Sequence, residues 1–562
     1  MGPLDPTVRS LGPTVDPEVR FPSLRKEAIV FEDAQLIAID KPTFVPTQPA
    51  RGDDDLPTRV RRFLTRRDGS DVALGVHQRL DALTSGVVVY AKAPAANAEL
   101  AKAFESRTVE KRYLAVVHGR GPLPEGRLED YLLHDHGITT VDRRGEAASS
   151  TVQVLERDGA RALLEVSLET GRSHQIRVQL ASRGFPIVGD PLYGGAPDAR
   201  LMLHAASLTL PGREPMVAPR PSAFDRALRG DAIDPLRNLE VLRERLTAAC
   251  ERRYRLGHLS DTTAFRLVHA ESDGLPGLAV DVYGDHLVAH LYREDLDEAR
   301  IFDALMELGF AGVYVKRRPQ QANELGDEGA RARAPSDPVR GEPALFEGTV
   351  LEHGVPYSVR LGDGLSTGLF LDQRAERHRL EGHFLQHPGG QLLNLFAYTC
   401  GFSIAAAKAG AKTTSVDASK SALDRGRAGL ALIGADPKQH RLFHDDAFDV
   451  LARLGRRGER FEVIVCDPPT YSKTKKTRFT SSREQWVELF AQCLAVLAPG
   501  GLLYATSNDQ RVNQRAFAAM AKDGAKRAGV ALSQCKDVTA QEDFPARFDG
   551  SLHLKGVLAT RV

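Results

Sequence analysis

The chain has 562 residues, a formal net charge of +1 and five cysteines. At about 150 residues per domain, that length calls for several cores, and the near-zero charge excludes a global field for capturing nucleic acid, leaving only local patches for that purpose. No apolar run reaches the ~18 residues of a membrane helix, so no membrane partner is expected. The cysteines (Cys250, Cys400, Cys466, Cys493, Cys535) are odd in number and form no CxxC pair, which speaks against a disulfide framework and a zinc site and for a reducing cytoplasm.

The start, MGPLDPTVRSLGPTVDPEVRFP, is Pro-rich without a signal-peptide apolar core, so residues 1–24 are expected to be a flexible tail. Residues 25–212 read as an α+β domain with a mixed or antiparallel sheet, from runs such as IVFEDAQLIAID, SGVVVYAK, KRYLAVVHG, RALLEVSLE and LMLHAASLTL. One helix is well marked: Ser173 can cap it, Ile176 and Leu180 share a face, and Gly184 follows, which clusters Arg172, His174 and Arg177 near its start. Residues 213–258 read as a Pro-rich linker and an Arg-rich amphipathic helix, Pro235 to Arg255. Residues 259–360 read as a small α+β domain, followed after the polar run Glu324 to Glu342 by regular strand–helix alternation across 361–562. Parallel strands joined by helices imply a doubly wound α/β sheet of Rossmann-like form, with a ligand beyond the carboxyl ends of its strands.

In HQRLDALTSG, Asp81 taken alone is a turn acid beside Arg79. Together with IVFEDAQLIAIDKP, EKRYLAVVHG and GRSHQIRVQLASRGFPIVGDPLYGG, in that order and spacing, the stretch resembles the RluA-type pseudouridine synthases of large-subunit RNA, from Ile29 to Gly212. The resemblance implies that Asp81 is the essential aspartate, that Tyr113 stacks on the target base and that Arg177 pairs with the aspartate. Isomerising uridine breaks the N1–C1′ bond, turns the uracil and rejoins it through C5. A carboxylate can serve as nucleophile or base, and a guanidinium can hold it in place. The base must leave its stack, so Arg107, Lys111, Arg112 and Arg172 are candidate RNA contacts. The family usually has His directly before Arg-Leu-Asp, whereas Gln78 stands there and His77 precedes it.

LLNLFAYTCGFSIAAAKAGA is a strand, tight turn and helix start, and Asp417 ends the next strand at the place of an acid that binds ribose hydroxyls. These residues alone also suit a dinucleotide enzyme. DPPTYSKTKK, HDDAF, AFRLVHAESDGLPGLAVDVYGDHL and STGLFLDQRAER resemble class I S-adenosylmethionine-dependent methyltransferases of 23S rRNA, those making 5-methylcytidine or 7-methylguanosine, from about Pro235 to Val562. The resemblance implies S-adenosylmethionine as cofactor, held by Phe370, Asp372, Asn394, Phe396, Thr399, Gly401, Asp417, Asp446 and Asp467, with Asp467 and Asn508 at the methyl acceptor. Lys473, Lys475, Lys476 and Arg478 form a basic loop suited to phosphate.

Methylating cytosine C5 needs a thiolate to add at C6 first, whereas guanine N7 offers a lone pair and needs only positioning. The cytidine branch carries its cysteine after the strand that follows Pro-Gly-Gly, where LLYATSNDQR holds none. The central domain nonetheless looks closer to the cytidine branch. An exocyclic amine, as in N2-methylguanosine, ranks third because Thr470 separates Asp467-Pro-Pro from Tyr471. The expectation is a monomeric fusion of pseudouridine synthase and guanosine-N7 methyltransferase acting on 23S rRNA without a metal. The alternative is an RNA-binding or ribosome-assembly module with one inactive site.

Overall fold

The computed structural model describes residues 10–48, 54–318, 332–473 and 478–562. They fall into two compact units, one of Asp16–His258 with Glu271–Pro276, the other of Leu259–Ala270 and Gly277–Val562 with the amino-terminal residues up to Val15.

The first unit is built on an eleven-stranded mixed sheet. Its centre is the strand Ser85–Ala91, whose residues are all buried, as an apolar SGVVVYA run covered on both faces requires. It lies between Leu36–Lys41, antiparallel, and Leu203–Thr209, parallel. The parallel pair closes tightly at Gly86, where φ is +113° and a Cβ would stand 2.2 Å from the Ala205 carbonyl oxygen. Beyond it come Glu110–His118, Arg161–Leu168 and Glu146–Asp158, all antiparallel.

Two expectations about this unit need correction. Residues 10–24 are not a flexible tail: Asp16 caps the short helix Pro17–Arg20, and Phe21 and Leu24 are buried. Residues 213–258 do not stand apart as a linker. Met216–Val217 pairs with Leu203–Thr209, and helix Ser222–Arg229 places Phe224 and Ala227 in the sheet's core. Helix Leu239–Arg252 is tied in by Glu251, whose carboxylate accepts from buried Arg59 Nη1 at 2.7 Å. The Pro content that suggests a linker breaks the segment into short pieces without denying them a core.

The second unit opens with the five-stranded sheet Ala264–His269, Leu278–Tyr283, His286–Leu291, Gly312–Arg317 and Arg340–Gly341. Of the polar run, residues 324–331 lie outside the described ones. A hairpin, Gly348–Glu352 and Val355–Val359, follows, and Leu11 packs into the same cluster while its N–H donates to the Thr349 carbonyl at 2.8 Å. The carboxyl-terminal sheet has seven strands in the order His440–His444, Lys412–Asp417, Gln391–Leu395, Phe461–Cys466, Leu497–Ser507, Lys555–Arg561 and Leu532–Asp537. The first five run parallel with helices between them; Lys555–Arg561 is antiparallel to both neighbours. The topological switch lies beside Gln391–Leu395, where a doubly wound sheet opens its crevice.

Candidate active sites

In the first unit, Asp81 lies on the loop entering strand Ser85–Ala91 and lines a cavity of about 280 Å³ with Tyr113, Lys111, Arg172, His174 and Arg177. Along Glu110–His118 side chains alternate between faces, so Lys111 and Tyr113 share the cavity side while Arg112 points away to Glu165. Arg107 and Arg112 do not line this cavity; Lys111 and Arg172 do. Tyr113 is buried, and burial together with the Asp81 charge raises its hydroxyl's pKa.

Arg177 sits in helix Gln175–Ala181 and is buried. Its Nε and Nη2 donate to Asp190 at 2.7 and 2.8 Å, whereas Nη1 stands 3.6 Å from Asp81. The guanidinium is thus clamped by Asp190 and offers its remaining edge to Asp81, whose side chain is 34% exposed. Burial opposes the Arg177 charge, but the bonds it donates to Asp190, with the Asp190 and Asp81 charges, outweigh it and its pKa is raised. His174 Nε2 lies 3.9 Å from the same carboxylate. Ser173 is not the helix cap: His174 occupies that position with φ +54°, and Gln175 Oε1 accepts from the Arg172 N–H instead. Gln78 is buried, its amide donating to the Val87 carbonyl and accepting from the Val89 N–H, so it braces the central strand.

In the second unit, a cavity of about 380 Å³ opens at the carboxyl ends of the parallel strands. All the expected residues line it: Phe370, Asp372, Asn394, Phe396, Thr399, Gly401, Asp417, Asp446, Asp467 and Asn508. The turn after Gln391–Leu395 is unusual. Phe396, Tyr398 and Cys400 have φ of +58°, +49° and +63°, a conformation that non-glycine residues adopt only when surroundings hold them there. Asp417 is one such hold: its Oδ2 accepts from the Tyr398 N–H and its Oδ1 from the Ser419 N–H, each at 2.7 Å. Burial raises its pKa against those two bonds. Its remaining lone pairs suit a pair of ribose hydroxyls. Asn394 donates to Ser403, Thr399 donates to the Gly368 carbonyl, and Asp446 caps helix Ala447–Arg456 at the cavity wall. Phe396, Phe448 and Phe479 supply an aromatic side for an adenine.

At the other end Asp467 accepts from Thr506 Oγ1 at 2.6 Å and from Gln373 Nε2 at 3.0 Å. Tyr504 Oη donates to Gln373 Oε1 at 2.6 Å, which fixes the amide's orientation. Burial pushes the Asp467 carboxyl up to about 6. Thr470 Oγ1 donates to Asn508 Oδ1 at 2.6 Å, leaving the Asn508 amide N–H pair as donors. Lys475 and Lys476 lie outside the described residues, as do the side chains of Lys473 and Arg478.

Residues 35–182 match a family model described as RNA pseudouridylate synthase, and residues 320–558 one described as S-adenosylmethionine-dependent methyltransferase. The chain is 31% identical over 384 residues to the ribosomal RNA large subunit methyltransferase I of Aeromonas salmonicida, over 67% of this chain and 91% of the relative. The chain belongs to the S-adenosylmethionine-dependent methyltransferases. Its amino-terminal unit is a pseudouridine synthase domain, and S-adenosylmethionine is the methyltransferase's cofactor. The methyltransferase is also 40% identical over 249 residues to the ribosomal RNA large subunit methyltransferase K/L of Pseudomonas aeruginosa, over 41% of this chain and 31% of that one. The crystal structure of SMU.776, described as a methyltransferase complexed with SAH, matches with a TM-score of 0.51 and 28% identity, over 58% of this chain and 82% of that one.

None of the methyltransferase's cysteines lines the cofactor cavity. Cys400 is buried behind the turn and its thiol is pushed up to about 12 by burial. Cys466 precedes Asp467 but is buried, and burial together with the neighbouring Cys493 thiol on helix Arg483–Val496 raises its pKa. Sequence reasoning missed Asp190, Gln373, Tyr504 and Thr506. Asp190 stands in a quoted motif, GDPLYGG, yet nothing local marks it as the partner of an arginine thirteen positions earlier.

Proposed function

We propose that the protein is a bifunctional RNA-modifying enzyme, isomerising uridine at Asp81 and methylating guanosine N7 at the second cavity, both in large-subunit ribosomal RNA. The RNA target is supported by the names of the relatives, each a large-subunit ribosomal RNA methyltransferase. For the first reaction, Asp81 is the half-buried carboxylate of a cavity that Tyr113 and the clamped Arg177 also line. Arg177 orients the carboxylate toward C1′ or the ring while Tyr113 faces the flipped uracil. The expected result of Asp81→Asn is a loss of pseudouridine formation of at least ~100-fold, with methylation unchanged. Normal isomerisation by that variant would remove Asp81 from the chemistry.

The methyl acceptor rests on one observation: no thiol reaches the second cavity. S-adenosylmethionine, bound there, supplies an electrophilic methyl group on a sulfonium. The chain's own part is positioning. The Asn508 amide N–H, left as a donor by Thr470, suits guanine O6 beside N7, while Pro468–Pro469 offer a packing surface for the ring and the Asp467 carboxylate faces the sulfonium charge. Nucleoside mass spectrometry of RNA methylated in vitro is expected to find 7-methylguanosine, and a folded, cofactor-binding variant with all five cysteines changed to Ser or Ala is expected to keep turnover. Detecting 5-methylcytidine or N2-methylguanosine, or losing turnover in that variant, would overturn the assignment. The five free cysteines accord with work in the reducing cytoplasm, and a monomer suffices because each site draws its residues from one chain.

A further inference from the structure

A cluster of three metal-ligating side chains lies away from both active sites. His383 and His387 sit four residues apart at the carboxyl end of helix Arg374–Gln386, and Glu462 is the second residue of strand Phe461–Cys466. One ligand atom from each can be chosen so that all lie within 4.8 Å of one another. His383 Nε2 stands 2.7 Å from Glu462 Oε1, and the two imidazoles stack with centroids 4.5 Å apart and planes 25° from parallel.

Two details go beyond proximity. His387 Nδ1 lies 3.0 Å from the His383 carbonyl oxygen, so Nδ1 carries the proton and Nε2 keeps its lone pair. That backbone contact is the kind that fixes the tautomer of a metal-bound imidazole. Gly390, just past the helix, has no side chain where a Cβ would stand 2.3 Å from Glu462 Oε2. A larger residue there would push the carboxylate from the histidines.

We propose that His383, His387 and Glu462 bind one divalent transition-metal ion, with Zn²⁺ the best match to two imidazoles and a carboxylate and a water free to complete four-coordination. The ion would staple the far end of helix Arg374–Gln386 to the far end of strand Phe461–Cys466. The near ends of the same two elements present Gln373 and Asp467 to the cofactor cavity, so the staple braces the methyltransferase fold rather than entering the reaction. The cysteine pattern is silent on such a site because it uses no sulfur.

The test uses the full chain, stripped with chelator and desalted, titrated with Zn²⁺ by calorimetry and with Co²⁺ by absorption. Expected are one ion per chain, a Co²⁺ spectrum of nitrogen and oxygen ligation without a thiolate charge-transfer band, and a rise in melting temperature with Zn²⁺. His387 is exposed, so His387→Gln keeps the fold, and it is expected to weaken binding at least ~10-fold; His383→Gln with His387→Gln should abolish it. Absence of stoichiometric binding, a thiolate band, or unchanged affinity in the double variant would overturn the proposal.

Discussion

Asp467 is the residue whose surroundings most change what it can do. Its carboxyl is pushed up to about 6 by burial, so below that pH it is neutral and above it carries a negative charge beside the place of a cationic sulfonium. The sign follows: kcat/KM for methylation should rise as pH increases through about 6 and level off above it, since that ratio reports free-enzyme ionisations. Asp467→Asn should lower activity and remove the inflection, and a profile identical to the parent's would remove Asp467 from this role. Asp190 is the counterpart in the synthase unit. It is fully buried and holds Arg177 through two bonds. Removing one partner of such a pair strands a charge, so Asp190→Ala should cost roughly 3–5 kcal/mol of the synthase unit's stability, read by urea unfolding. It should also depress pseudouridine formation although Asp190 lies behind the arginine.

The strand–turn–helix around residues 391–408 shows how an element makes a binding site from backbone. Three non-glycine residues with positive φ lie at alternate positions, and the conformation is held by the Asp417 carboxylate from the neighbouring strand. Asp417 therefore shapes the turn, and on the proposed reading it also offers lone pairs to a ribose. Asp417→Ala should weaken S-adenosylmethionine binding by about 1.5–3 kcal/mol, the worth of hydrogen bonds to a charged group, as measured by calorimetry; unchanged affinity would place the ribose elsewhere. The helix Gln175–Ala181 teaches the opposite lesson. Local propensity points to Ser173 as its cap, but His174 takes the left-handed cap position and stands 3.9 Å from Asp81.

In the molecule as a whole, each unit collects segments that sequence order separates. Residues 10–15 belong with the second unit although the first begins at Asp16. Leu11 is buried there among Val350, Tyr357 and Tyr283. Leu11→Ala should destabilise the methyltransferase unit by roughly 2–4 kcal/mol, seen as an earlier unfolding transition with loss of methylation, while pseudouridine formation persists. Both activities falling together would mean the units do not unfold separately.

Much of this was legible in the chain. Alternating apolar runs mark the strands, the motifs that carry Asp81, Tyr113 and Arg177 bring them to one cavity, and every expected cofactor residue from Phe370 to Asn508 lines another. Such features are local: periodicity follows from backbone geometry, and motifs keep their spacing because turns and strand ends demand particular residues. What stayed hidden were partners brought together by folding. Arg177 was expected to pair with Asp81, and its bidentate partner is Asp190; Asp467 depends on Gln373 and Thr506, residues 94 and 39 positions away. Residues 10–24 look free because they belong to a Pro-rich stretch without an apolar core, yet Leu11, Phe21 and Leu24 within them are buried. Chemical types are written in sequence, but which buried charge answers which, and which hydrophobic residue is covered, depends on distances that exist only after the chain has closed on itself.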